Sequence, residues 1–296
     1  MRPDDLLTAA CRQAGLEETG VCVYDPVLCC IPTRALSRVP KNCRSLIVCA
    51  IPYYTGAYSY RNIARYALSE DYHDLCQKRL QWLCEALQAA FPGEQFSPFA
   101  DISPFDEVEA AVRAGVGVRG ENGLLINPRY GSYVFIGEIA STIAFTPALP
   151  EKKHCLRCGR CRAACPSGAL GEVFLRENCR SYLTQLKRFS LSGQQEQVAL
   201  GGYVWGCDIC ADVCPMNRNA RYTPLPEFYR NICAVLTKDN LKRALPGRAY
   251  AYKGRALLER NLALIGRQAG EAPAITLAKK GETQDGNHHP GGVSGI

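Results

Sequence analysis

The sequence predicts a mixed α/β (α+β) domain, then a ferredoxin-like module, then a short helical tail. Three observations predict it. Strand-like and helix-like patterns alternate up to residue 147. Cysteines then crowd together as Cys155-x2-Cys158-x2-Cys161-x3-Cys165-Pro166, Cys179 and Cys207-x2-Cys210-x3-Cys214-Pro215. Proline-punctuated helical segments follow. The implied division is 1–147, 148–220, 221–270 and a polar, glycine-rich end at 271–296 that reads as disordered.

Taken in order, residues 4–14 read as an amphipathic helix ended by Gly15. Residues 21–24 and 45–52 are short β-branched runs. The second is apolar throughout, which fits a central strand covered on both faces. Residues 59–91 predict the longest helix, with Leu75, Cys76, Leu80, Leu83 and Leu87 on one stripe. Near its start His73, close to Asp71, reads either as a ligand or as a hydrogen-bonded structural histidine. Residues 96–100 predict a strand ended by Asp101. A helix over 104–113 follows, with Ser103 as N-cap and Pro104 at its first position. Residues 115–120 form a glycine-rich loop, and 124–127 with 133–140 predict a hairpin across 127–131.

The cysteine run has the spacing of a bacterial-type [4Fe-4S] site, whose fourth cysteine ligates the other cluster in two-cluster ferredoxins. A C-x2-C-x2-C loop wraps three corners of one cubane. The x3 step starts a short helix and carries the next cysteine away, and the following proline lacks an N–H and redirects the chain. Cys214-Pro215 obeys the same logic. Cluster one is therefore assigned to Cys155, Cys158, Cys161 and Cys214, and cluster two to Cys165, Cys179, Cys207 and Cys210. Structural zinc is the alternative. It accounts for Cys207 and Cys210 but not for three cysteines followed by x3-C-P.

With 296 residues and 47% hydrophobic content, the chain can bury an ordinary globular core. No apolar run approaches the ~18 residues of a membrane span. The acidic start lacks the apolar stretch of a secretory signal, so a cytoplasmic protein is expected. Of its 17 cysteines, those outside the cluster set (Cys11, Cys22, Cys29, Cys30, Cys43, Cys49, Cys76, Cys84 and Cys233) suit buried thiols in a reducing compartment. The net charge is +7, and Lys and Arg outnumber Asp and Glu between residues 216 and 271. That is the footprint of a polyanion such as RNA, or else a solvated helix face.

Asp101 sits at a strand end before a helix, a position that faces clefts. Shielded from water, its pKa would rise and it could donate a proton near neutral pH. The alternative is a carboxylate that only accepts N–H groups at the next helix.

Several blocks resemble the epoxyqueuosine reductase family. They are R-Y-A-L-S-E-D-Y-H ending at His73, F-A-D-I-S-P around Asp101, G-V-G-V-R-G-E-N-G-L-L-I-N from Gly115, G-S-Y-V-F-I-G-E from Gly131, C-R-S-Y-L-T from Cys179 and Y-V-W-G-C-D-I-C from Tyr203. K-G-R-A-L-L-E-R-N-L-A-L-I-G from Lys253 is similar to the start of that family's helical repeat region. The resemblance implies a first domain holding base-off cobalamin beside a cluster. It also implies an external low-potential electron donor, a tRNA substrate, a monomer, and Asp101 as proton donor. It places the corrin against Leu125, Ile136 and Ile139, with Ser181, Tyr182, Gly206 and Asp208 at its rim.

The chain departs from the family at Val108, where Arg is usual, and at Glu121, where Lys is usual. The latter reverses charge where an anionic substrate is expected to sit. A Gly-x-Met segment is missing from 25–44, and the repeat region is short. Two rival functions follow: a cobalamin/Fe–S reductase of another small substrate, and a two-cluster electron carrier without cobalamin.

Overall fold

The computed structural model describes residues 2–29, 34–149 and 154–266. The disordered end expected at 271–296 lies outside them, as does Cys30. Helices α1 (Pro3–Gln13), α2 (Tyr72–Ala90) and α3 (Glu107–Arg113) surround a sheet of β1 (Thr19–Val23), β2 (Ser45–Pro52), β3 (Phe96–Ala100) and β6 (Val134–Ser141). The sheet order is β1-β2-β6-β3 and every pairing is antiparallel. The domain is therefore α+β.

β2 is buried along its whole length, as its apolar run predicts. Successive side chains point to opposite faces of a strand. Ile47, Cys49 and Ile51 accordingly join Leu80, Leu83 and Leu87 of α2 and Leu7 of α1 in one core. Leu46, Val48 and Ala50 join Phe105, Ala110 and Ala111 in the other. Each fully buried aliphatic side chain stabilises this three-layer packing by about 1.5–3 kcal/mol.

Three expectations are corrected. The helix expected over 59–91 begins only at Tyr72, where the Asp71 carboxylate caps it by accepting from His73 N. Residues before it form bends and a short 3-10 helix at Arg65–Ala67, and their polar groups pair elsewhere. Ile63 bridges Trp205, and the Asn62 side chain bonds both ways with the Leu236 backbone. The helix expected from Pro104 starts at Glu107, capped by Asp106, while the Ser103 hydroxyl donates to buried Glu138 at 2.5 Å. The expected hairpin closes only as a single antiparallel bridge between Asn127 and Gly131, and its flanking strands do not pair. β5 (Leu125–Ile126) pairs with β4 (Val118–Arg119) and β6 inserts between β2 and β3, because the Asn127 side chain closes a turn onto Arg129 N and Tyr130 N.

Short helices α4 (Arg160–Ala164), α5 (Arg180–Leu183), α6 (Gln194–Gly201) and α7 (Ile209–Asp212) carry the cysteine-rich segment, and α8 (Leu241–Ala244) and α9 (Arg255–Gly266) form the tail. A third core of Ile63, Leu68, Val204, Trp205, Tyr250 and Leu258 fuses all three stretches. Asn217, three residues after Cys214, donates to Ser132 Oγ at 2.7 Å and accepts from Ser132 N at 2.8 Å, tying the module to the sheet domain.

Candidate active site and cluster-binding module

One cavity is lined by Cys155, Cys158, Cys161 and Cys214 together with Gly120, Asn122 and Ile126. These are the four cysteines grouped by spacing, although Cys214 is far from the others in sequence. Among the described residues, no three His, Cys, Asp or Glu side chains converge on a single-ion position; these four ring a space instead. Gly159, left-handed at φ 70°, starts α4 and lets Cys161 turn inward. On α7, Cys210 lies within electrostatic reach of Cys207 and Cys179. Arg180 lies within reach of Cys207 and Cys165.

The module is clamped to the sheet domain by charge. Arg61 reaches Asp208 and Asp212 at 2.5 Å each, and Arg65 reaches Asp212 at 3.1 Å. Arg61 and Asp208 are nearly excluded from water, so removing either partner would strand the other's charge. The sequence did not single out these arginines, though both sit in or beside the block ending at His73. Asp208 is thus a brace beside the cluster-two cysteines. Gly206 is left-handed at φ 72°, and a Cβ there would meet Ala64 Cβ at 2.4 Å. Its N–H donates to Thr184 Oγ1. Gly206→Ala is expected to cost about 1–3 kcal/mol, and thermal melting of the two-cluster form checks it. An unchanged melting temperature would contradict this packing.

Asp101 ends β3 and is itself left-handed, at φ 61°. Tyr72 Oη donates to its Oδ1 at 3.1 Å, and His73 Nε2 meets its Oδ2 at 3.3 Å. On its other side His73 Nδ1 donates to Asp71 Oδ1 at 2.5 Å. Tyr72 is held by stacking on Phe135, with ring centroids 4.0 Å apart. The upward pKa shift expected of a shielded Asp101 is corrected. The His73 hydrogen bond outweighs partial burial and holds the carboxyl below its ordinary value. The same bond, ahead of that to Asp71, pushes His73 up to about 9. At neutral pH the proton of this pair therefore rests on the imidazole. His73 is hydrogen-bonded, one of its two expected readings, but to the site aspartate itself.

Tyr66 lies between Asp101 and the module. It feels the charge of both Asp101 and Asp208, and it packs against the Gly206 position. Beside Asp101, Ile102 and Tyr252 expose apolar surface. The Leu125 and Ile139 side chains, expected to touch a cofactor, are instead packed inside the two cores, at 3% and 0% exposure. Only their backbone could line a site. Ile136, Ser181 and Tyr182 are half-buried. Glu121 is placed differently from expectation: it lines the cluster-one cavity and accepts from Gly159 N, while Arg119 pairs with Asp106 at 2.9 Å. The charge reversal at Glu121 thus falls on the rim of the cysteine-lined cavity.

An α+β domain bearing a held aspartate, fused to a module with two cysteine sets, defines an iron–sulfur oxidoreductase. Residues 154–217 match the family model for a 4Fe-4S double cluster binding domain, and residues 34–102 match that for epoxyqueuosine reductase QueG, DUF1730. The chain belongs to the epoxyqueuosine reductase family. It is 38% identical over 195 residues to the epoxyqueuosine reductase of Synechocystis sp., a match covering 63% of this chain and 68% of that one. The Staphylococcus aureus enzyme is 32% identical over 232 residues, covering 75% of this chain and 60% of its own. For the Listeria monocytogenes relative the match spans 56% of its length. The structure of epoxyqueuosine reductase from Streptococcus thermophilus superposes with a TM-score of 0.74 at 22% identity, covering 90% of this chain and 81% of that one. A crystal structure of epoxyqueuosine reductase with a tRNA-Tyr epoxyqueuosine-modified stem loop gives 0.73 at 23% identity, covering 88% and 80%. Among the described residues no helix is long and apolar enough to cross a membrane.

Proposed function

We propose that this chain reduces epoxyqueuosine to queuosine in tRNA. The eight cysteines would hold two [4Fe-4S] clusters, which would supply electrons from an external low-potential donor, and a cobalamin held by the first domain would supply the reducing chemistry. The observation that carries this reading is Asp101, fixed by His73 and Tyr72 at a strand end, with Tyr66 feeling the charge of both Asp101 and Asp208 of the module. Family membership and the fold shared with an epoxyqueuosine reductase crystallised with an epoxyqueuosine-modified tRNA stem loop support the substrate. Cobalamin fits the exposed apolar surfaces of Ile102 and Tyr252 beside Asp101, which a flat macrocycle would cover. When bound, it would supply two-electron reducing power at the epoxide carbon.

The residues of the chain handle the protons. Reducing an epoxide to an alkene consumes two electrons and two protons and releases water. Asp101, ionised at rest, relays the proton of the His73 imidazolium to the epoxide oxygen as the C–O bond breaks. His73 gives up that proton through Nε2, Asp71 steadies Nδ1, and the second proton needed to release water comes from solvent. Tyr72 orients the carboxylate, and Tyr66 helps wall the site from water.

The pair also sets a pH dependence. Between 6.5 and about 9 only folded His73 holds its proton. Its contribution to stability is therefore complete below pH 6.5 and lost as pH rises through about 9. The melting temperatures of wild type and His73→Gln are expected to differ most below pH 6.5 and to converge above about pH 9. A gap independent of pH would remove His73 from this role.

The overall test is anaerobic protein with about eight iron and eight sulfide per chain, loaded with cobalamin and given epoxyqueuosine-tRNA and a reductant. Failure to form queuosine, with corrinoid retained after gel filtration, would falsify the substrate. tRNA affinity should fall steeply with salt. Cobalamin binding without such affinity would favour the small-substrate reductase. No corrinoid retention at all would leave a two-cluster electron carrier.

A further inference from the structure

We propose that electrons enter at cluster one, and that the face around Cys158 docks a small acidic ferredoxin. The proposal rests on the reading of the two clusters as the electron path. Cys158 is exposed, whereas the seven other assigned ligands are partly buried. Beside it Leu156 is 62% exposed. Arg157, Arg160 and Arg162 are exposed around it, and none of them pairs with a carboxylate among the described residues. Glu121 is the acidic group at this rim, and its carboxylate is turned onto Gly159 N.

Position separates the two clusters. Cys207, assigned to cluster two, lies between Gly206, which packs on Ala64 and Tyr66, and Asp208, which Arg61 pins, and Tyr66 feels the charge of Asp101. Cluster two thus faces the reaction and cluster one faces outward. An unpaired arginine trio around one exposed leucine suits a brief electron-transfer encounter. Such contacts are small, and their specificity and rate come from charge complementarity. Each cubane accepts one electron at a time, which matches a one-electron carrier. Every turnover would consume two reduced ferredoxins, each oxidised by one electron.

The test is stopped-flow bleaching of cluster absorbance in the two-cluster chain by reduced plant-type ferredoxin, without tRNA. The rate should fall about 10–10³-fold as salt rises from about 0.05 M to about 0.5 M, and by a comparable factor in Arg157→Glu/Arg160→Glu/Arg162→Glu. Reduction by photoreduced deazaflavin, which needs no docking, should stay unchanged in that variant. Lys242→Glu/Arg243→Glu on α8 should leave both rates unchanged. If the triple variant loses iron, Arg160→Gln/Arg162→Gln and the salt dependence of the wild type decide instead. A salt-independent wild-type rate overturns the proposal. So does a triple variant reduced as fast as wild type, an equal fall in the α8 variant, or reduction by flavodoxin but not ferredoxin. Bleaching is read without substrate, so its failure leaves the epoxyqueuosine reading standing. Absence of queuosine under deazaflavin reduction would sink that reading and leave the docking face untouched.

Discussion

Asp101→Asn is expected to lower turnover by about 10²–10⁴-fold with iron, sulfide and cobalamin contents unchanged. The substitution keeps shape and an acceptor for Tyr72 Oη but removes the proton-carrying carboxyl. It also removes the largest cause of the raised His73 pKa, so His73 should titrate well below 9, toward 6.5. The two readouts are independent: single-turnover rate with a chemical reductant, and NMR titration of the His73 ring. A variant that turns over within a few-fold of wild type would move the proton donor elsewhere. An unmoved His73 titration would mean that the 3.3 Å contact does not govern the imidazole.

Cys214→Ser should remove the cluster held by Cys155, Cys158 and Cys161, halving iron to about four per chain. Cys165→Ser should remove the other. This crossed dependence is the large effect that separates the arrangement from two sequence-local clusters. In a local arrangement Cys214 would fail with Cys207 and Cys210. Electron paramagnetic resonance of each variant after partial reduction reads which cubane survives. Loss of the same cluster in Cys155→Ser and Cys165→Ser would sink the assignment.

Local spacing carries the cluster module because a cubane is bound by residues that neighbour each other along a loop. Cys155, Cys158 and Cys161 therefore face one cavity, and Cys214 enters it because x3-C-P carries a ligand away from its own loop. The all-buried run 45–52 likewise declared a central strand. Partner choice was not legible. Residues 59–71 carry a helical pattern, yet Asn62 and Ile63 find better partners in Leu236 and Trp205, remote in sequence. Ser103 looks like a cap, yet the buried carboxylate of Glu138 takes its hydroxyl.

Asp101 divides the same way. Its place after a strand was readable, but its charge state was not. Burial alone argues for a raised pKa, and the opposite shift comes from His73, which lies 28 positions earlier in the chain. By itself the sequence determined the cysteine spacing, the central strand and the family blocks, because each depends on residues close together in the chain. Only the tertiary structure decided which groups share a proton, which arginines clamp the module and which cysteine of the module lies exposed. Those properties depend on distances between segments that the linear order leaves open.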